Sequence, residues 1–316
     1  MRDKITDKIK SLKWKINYYS KLFRYKFIEY NTYINYITNE NYLIKKGNIN
    51  TKLNNTIWSY WNGNIIPIDI QNFFNHNKSI NPNYNYIVVN DDTLNKYLIN
   101  FPNHINFPSI QHKADLIRLM LLDEHGGIWI DISTILTESL DWVNKKLTEN
   151  KAEYLGFYNP NMMNDENNLP MIENWFMAAR KDSIFIKSWL KEFLFVLETK
   201  SPRDYYLNQP YFNKIKQNIK PPFDRTFTMH LAGQKTMLEL NNNFSYVLIN
   251  AEDDGLFFNY ASQDRAEYCS SLLIKKYKQL PKVIKITGGD RIKLEDFIRI
   301  RLYSKHSIYY TFNLLK

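Results

Sequence analysis

Four residues near the middle of the chain have types and spacing suited to chemistry. Asp115 and Arg118 stand three apart, and Asp131 and Ser133 follow, with Asp131 thirteen residues after Arg118. Two carboxylates and a guanidinium gathered in one place can grip hydroxyl groups, balance an anion, or hold a hard cation through carboxylate oxygens. Taken alone, an Asp–Arg pair at this helical spacing is most often a solvated ion pair contributing about 0.2–0.5 kcal/mol. A strand-terminal Asp131 would, on the plain alternative, cap a turn. The combination is more specific than its parts, because the stretch between the polar groups is apolar apart from its helix end and the pair Gly126-Gly127.

The elements that must position these residues are legible around them. Pro108-Ser109 is a helix entry, and Ala114, Ile117, Met120 and Leu121 form the buried stripe of the central helix. Gly126-Gly127 is its exit, since the residue after a helix must tolerate positive φ. Residues 128–130 then form a buried strand, and ligands of open α/β sheets bind beyond the carboxyl ends of strands. Asp131 falls at that place. Upstream, 56–61 reads as a strand halted by Asn62-Gly63, 68–74 as a helix, 84–89 as a strand, and 93–99 as a helix capped by Asp91 or Asp92. This order predicts an α/β protein with a mainly parallel sheet and helices on its faces.

Downstream, 135–143 reads as a short strand leading to a helix, 154–158 as a strand, and 159–170 as a mobile loop near the site. Residues 173–179 form an apolar strand with polar Glu173 and Asn174 at its entry. Asp182-Ser183 caps an amphipathic helix through Ile186, Trp189, Phe193 and Leu197. Residues 226–240 and 294–303 are helical by pattern, and 245–249 and 283–286 strand-like. There is no internal repeat.

The composition is that of a globular protein: 316 residues, 44% hydrophobic and 23% charged. The single cysteine, Cys269, excludes an internal disulfide and fits a reducing compartment as a buried, inert thiol. No early apolar run reads as a signal peptide and no stretch of 18 or more apolar residues could span a bilayer, which predicts a cytoplasmic or membrane-peripheral protein. The net charge of +10 is uneven: residues 1–30 carry nine Lys or Arg against three acidic residues. That pattern argues for a basic appendage and against a nucleic-acid-binding body. Ile5, Ile9, Leu12, Ile16, Tyr19 and Phe23, continued by Tyr30, Tyr33 and Ile37, give the appendage the stripe of a long amphipathic helix. The stripe is expected to pack on the main domain or on a second copy, or to lie on a membrane with Trp14 at the interface. Residues 38–54 read as a linker, which divides the chain into an extension of 1–50 and a main domain of 51–316.

The run His112-Lys-Ala-Asp-Leu-Ile-Arg118 followed by Gly126-Gly-Ile-Trp-Ile-Asp131 resembles the family 32 glycosyltransferases with a DXD motif, and especially their capsular polysaccharide synthesis relatives. It is similar also to the glucosylating domain of large clostridial toxins. The likeness runs from residue 57 to about 180 and more weakly over 281–287. It implies a GT-A fold, a nucleotide-sugar donor that is usually UDP-linked, a divalent metal (Mn2+ or Mg2+), a retaining reaction and a glycan acceptor. By position, Trp58 would stack on uracil, with a core tryptophan as the alternative. Asp115 would accept hydrogen bonds from ribose or sugar hydroxyls, and Arg118 would bind the sugar or steady Asp115. Trp129 would line the nucleotide pocket or serve structure alone. Asn174 would contact the donor sugar, with Glu173 competing for that role.

Asp131 matches the first carboxylate of the DXD signature, and Ser133 stands where a second aspartate is usual. Hard cations prefer carboxylate and phosphate oxygens, so a metal held by Asp131 and Ser133 would be held more weakly. The departing diphosphate must also be neutralised. Lys285, Lys282 and Arg291 beside Thr287-Gly288-Gly289 are placed for that, the glycines allowing a closing loop, and His230 and His306 are further metal or phosphate candidates. Glu173, Asp165 and Glu166 are available carboxylates with no assigned base role. The expectation is a sugar transferase acting on a capsular or other surface glycan. The alternatives are a toxin-like transferase acting on protein, and a non-catalytic nucleotide-sugar-binding relative.

Overall fold

The period of two along the strands sorts the core of the protein, seen in a computed structural model that describes residues 12–13, 15–21, 23–24, 33–34, 41–162, 169–202, 204–210, 228–241 and 243–315. The strands are β1 (Tyr33–Ile34), β2 (Tyr42–Lys45), β3 (Thr56–Tyr60), β4 (Asn85–Val89), β5 (Gly127–Ile130), β6 (Thr134–Leu136), β7 (Tyr154–Tyr158), β8 (Ile172–Ala179), β9 (Tyr246–Asn250), β10 (Lys276–Tyr277) and β11 (Val283–Lys285). The helices are α1 (Ile68–Ser79), α2 (Leu94–Tyr97), α3 (Ile110–His125), α4 (Asp141–Glu149), α5 (Ile184–Leu197), α6 (Thr228–Glu239), α7 (Phe257–Ala261), α8 (Arg265–Leu273), α9 (Gly288–Arg299) and α10 (Ile308–Thr311). Seven strands form the central sheet in the order β2-β9-β7-β8-β5-β3-β4.

Trp58 and Tyr60 of β3, Trp129 of β5, and Met177 and Ala179 of β8 point to one face, where they meet α2, α3, α5 and α6. The alternate residues Ile57, Ile128, Ile130, Phe176 and Ala178 point to the other and pack with Val143 and Leu147 of α4. A third cluster joins Ile70 and Phe73 of α1 and Ile132 and Ile135 to α8, α9 and α10. The α/β layering is as expected. Within the sheet β3 pairs in parallel with β4 and β5, and β7 with β9, whereas the other pairings are antiparallel, so the sheet is mixed.

Along α3, Leu116 to Leu122 are all buried, so the helix has no solvated face over that stretch. Truncating one of its buried leucines to alanine costs roughly 2–5 kcal/mol. Its exit is as read, with Gly126 at φ 65° and Gly127 at φ 106°. A Cβ on Gly127 would lie 2.5 Å from the Thr56 carbonyl oxygen, so the turn also needs glycine for space.

Several expectations are corrected. The presumed linker of 38–54 contributes β2, an edge strand whose Tyr42–Lys45 pairs antiparallel with Tyr246–Ile249, so the central sheet begins ahead of residue 51. A short Tyr-Leu-Ile-Lys run among asparagines gives too weak a pattern to announce a strand without its partner. The turn before α2 is held by Asn90, whose Oδ1 accepts from the Thr93 N–H at 2.9 Å, while Asp91 points to Tyr60 and Lys113. Thr287-Gly288-Gly289 is no loop: Thr287 caps α9 through the Asp290 N–H, and both glycines lie in its first turn. Of the expected loop at 159–170, residues 163–168 with Asp165 and Glu166 lie outside the described residues, as do Trp14 and the stripe positions Ile5, Ile9, Tyr30 and Ile37.

Candidate functional site

The parallel strands β3, β4 and β5 end together, since Trp58 is level with both Ile87 and Trp129. Their carboxyl ends therefore deliver Tyr60, Asp91 and Asp131 to one rim of the sheet. α3 returns toward that rim with its N-terminal half, started by Ser109, whose side chain accepts from the His112 N–H. β8 enters from the same side, because Phe176 pairs with Ile130. Between these ends lies a cavity of about 630 Å³, with Asp115, Arg118, Trp129, Asp131, Ser133 and Asn174 in its wall. Six of the residues singled out in the sequence thus meet in one place.

Arg118 is the hub. It is only 5% exposed, its Nη1 donates to the Asn174 carbonyl at 2.7 Å and lies 3.2 Å from Asp115 Oδ1, and its Nη2 reaches Asp131 Oδ1 at 3.3 Å. The guanidinium also lies over the Trp129 ring at 4.9 Å, and the Trp129 indole N–H donates to Asp131 Oδ1 at 3.1 Å. The Asn174 amide donates to Asp115 Oδ1 at 3.0 Å. Removing one member of a buried charge cluster leaves its partners uncompensated, at a cost of about 3–5 kcal/mol.

The two carboxylates are pushed in opposite directions. Burial raises Asp115, Asp131 adds to the rise, and Arg118 and His230 offset it only in part. Burial also opposes the charge of Asp131, yet Lys285 and then Arg118 outweigh it and hold the carboxyl below its usual range. Lys285, on β11, reaches Asp131 Oδ2 because β11 pairs with β6 and sets Lys285 level with Thr134. That pairing joins residues 147 to 151 positions apart and has no local signal.

Other expectations separate here. Trp58 lies in the middle of β3 and is 3% exposed; its indole donates to the Gly126 carbonyl at 3.0 Å and its ring packs on Tyr97 and His125. It is the core tryptophan that clamps the glycine turn, and it does not face the cavity. Tyr60 and Trp61, at the strand end, do. The Asp131 carboxylate is no turn cap, for the Thr134 N–H donates to the Asp131 backbone oxygen instead. Strand alternation turns Asn174 to the cavity and buries Glu173 against Asn159, at 2.7 Å, and His230, at 3.8 Å. His230 and Arg291 line the cavity, His306 is exposed elsewhere, and Lys282 lies over the Trp142 ring on the other side of the sheet. Cys269 is buried, and burial pushes its thiol up, in line with an inert role.

The residues expected to hold a divalent cation do not fit one as arranged. Such an ion takes about six or more oxygen ligands. Among the described residues no group of three His, Cys, Asp or Glu could hold a metal. Both oxygens of Asp131 are engaged by cationic or N–H partners, and the Ser133 hydroxyl donates to the Ile286 carbonyl at 3.0 Å.

Fold and site together define an α/β protein with a polar, charge-balanced cleft at the carboxyl ends of its parallel strands. The chain belongs to the capsular polysaccharide synthesis protein family, whose model it matches over residues 5–251. That match takes in the basic N-terminal stretch, ahead of residue 57 where the resemblance was expected to start. Among curated proteins it is similar to O-glycosyltransferase braB of Annulohypoxylon truncatum, 29% identical over 127 residues, covering 39% of this chain and 29% of that protein. It is 40% identical over 82 residues to glycosyltransferase afumC of Aspergillus fumigatus, covering 25% of this chain and 20% of that one. The matched segments thus span less than a third of either relative. Solved structures with a likeness include the UDP-bound glycosyltransferase domain of the YGT toxin, with TM-score 0.39 and 10% identity over 84% of this chain and 100% of that one. Galactosyltransferase LgtC with donor and acceptor sugar analogs gives TM-score 0.38 and 12% identity over 74% and 87%.

Proposed function

We propose that the protein is a GT-A-type glycosyltransferase that takes a sugar from a nucleotide diphosphate donor, UDP-linked in the first instance, and places it on a capsular or other surface glycan. The observation that carries this is the network Asp115–Arg118–Asp131–Asn174 in the wall of a cavity large enough for a nucleotide sugar. Trp61, at the end of β3, supports the base by stacking. Asp115 and Asn174 take the sugar and ribose hydroxyls, Arg118 keeps them in place, and Arg291 meets the diphosphate. In the transfer the bond from the anomeric carbon to the phosphate oxygen breaks and its electron pair leaves on the diphosphate. The acceptor hydroxyl oxygen forms the new bond to that carbon, and its proton leaves with the diphosphate. Configuration is retained, as in the family resemblance.

The test is donor turnover. Purified protein should hydrolyse or transfer from at least one UDP-sugar, and Asp115→Ala should lower that rate by about two orders of magnitude or more while the protein stays folded. Tight nucleotide binding with no turnover on any donor would favour a non-catalytic binding protein, and labelled protein bands would favour a protein acceptor.

The site of action in this proposal is the cytoplasmic face of a membrane. The described part of residues 12–24 is helical, and Leu12, Ile16, Tyr19 and Phe23 are each more than half exposed. Tyr18, on the opposite side, packs edge-on against Phe297 at 6.5 Å, and Lys21 pairs with Asp264. The helix is thus anchored by its minor face, and its apolar stripe with neighbouring Lys13, Lys15 and Arg24 faces outward, an arrangement suited to an anionic lipid surface.

A further inference from the structure

We infer that donor binding in this cavity needs no divalent cation, because the Lys285 ammonium is the built-in counter-charge of Asp131 where a metal ion would need that carboxylate free. The inference rests on the donor-site reading above and adds to it how the site's charge is balanced.

Asp131 has two oxygens and both are spent. Oδ2 accepts from Lys285, and Oδ1 accepts from the Trp129 indole and lies 3.3 Å from Arg118 Nη2. Ser133 adds no charge, and its hydroxyl ties β6 to the segment after β11. The other carboxylate in the wall, Asp115, is held by Arg118 and Asn174. A dication seated on Asp131 would therefore stand against an ammonium and a guanidinium, which like-charge repulsion disfavours.

Lys285 is also held at its backbone. Its N–H donates to the Gly255 carbonyl at 2.8 Å, its carbonyl accepts from the Tyr268 hydroxyl at 3.0 Å, and β11 pairs it with Thr134. Its side chain is only 12% exposed. The ammonium is placed by the β6–β11 ladder, a two-stranded sheet of its own that leads into α9. Two carboxylates, Asp115 and Asp131, are matched by two cations, Arg118 and Lys285. Arg291 remains in the wall for the incoming diphosphate, its Nη1 3.6 Å from Asp69, with Gly288 at the start of α9 beside it.

Calorimetry of UDP binding to the full chain, in excess EDTA and in excess manganese chloride, tests the inference. The expected result is an affinity equal within about threefold in the two conditions, a difference well below the tenfold that corresponds to 1.4 kcal/mol. Manganese alone should show no tight site by electron paramagnetic resonance. Lys285→Met, checked for folding by circular dichroism, frees Asp131 and should make UDP binding manganese-dependent, whereas Lys285→Arg should keep it independent. Loss of wild-type UDP binding in EDTA with recovery in manganese would overturn the inference and leave the donor-site reading standing. No UDP binding in either condition would overturn both. If Lys285→Met does not fold, the wild-type comparison still decides.

Discussion

Trp58 and Trp61 stand three residues apart on the same strand and its exit, and they have different tasks. The indole of Trp58 holds the Gly126 carbonyl, whereas Trp61 lines the cavity with the Arg291 guanidinium 5.7 Å from its ring. Trp58→Phe should therefore lower stability by about 1–3 kcal/mol, the cost of leaving a buried carbonyl without its donor, and leave UDP affinity unchanged. Trp61→Ala should weaken UDP binding by roughly 1–3 kcal/mol, the usual worth of base stacking, with little change in melting temperature. Denaturant titration and calorimetry on the two variants decide it. Equal losses of UDP affinity would refute the assignment.

At the scale of elements, the position of β11 decides where Lys285 goes, and a buried carboxyl helps hold that strand. Asp254 is 4% exposed and accepts from the Val283 N–H at 2.9 Å. Burial pushes its carboxyl up to about 7, against the pull of backbone N–H groups of Val283 and Lys282. An unfolded aspartate titrates near 3.9, so between about pH 4 and 7 the folded protein binds the extra proton and the unfolded chain does not. Stability is thus fully present below about pH 4 as far as this group is concerned and declines as pH rises toward 7. Asp254→Asn keeps an acceptor and should flatten that part of the profile. Urea unfolding of both proteins across this range is the measurement, and parallel profiles would contradict the role given to Asp254.

For the molecule as a whole, the N-terminal helix gives a polarity. Its Tyr18 and Lys21 meet the C-terminal helices, and Leu12, Ile16 and Tyr19 face away from the body. At low salt the protein should float with vesicles containing phosphatidylserine and stay behind with neutral ones. Replacing Leu12 and Ile16 together by glutamate should abolish flotation and leave turnover in solution unchanged, because none of the described residues of the helix lines the cavity. Concentration-dependent dimerisation without flotation would instead assign the stripe to a second copy.

Much of this protein was legible before any coordinates. The strands β3, β5, β7 and β8 and the helices α3 and α5 announce themselves through local pattern, capping residues and the glycine pair, all of which act within a few residues. The type and spacing of Asp115, Arg118 and Asp131 likewise mark them out, since a helix followed by a strand carries its own geometry, whereas Asn174 enters only through the family resemblance. Which tryptophan faces the cavity was not legible, because a strand signal does not say how far from its end the pocket begins. Edge strand β2 and the β6–β11 ladder depend on partners far away in sequence, and such pairing leaves no local trace. The state of Asp131 belongs to the same class. Sequence places a carboxylate at the end of a strand, and only the tertiary fold brings Lys285, 154 residues on, against it and so settles what charge that carboxylate meets.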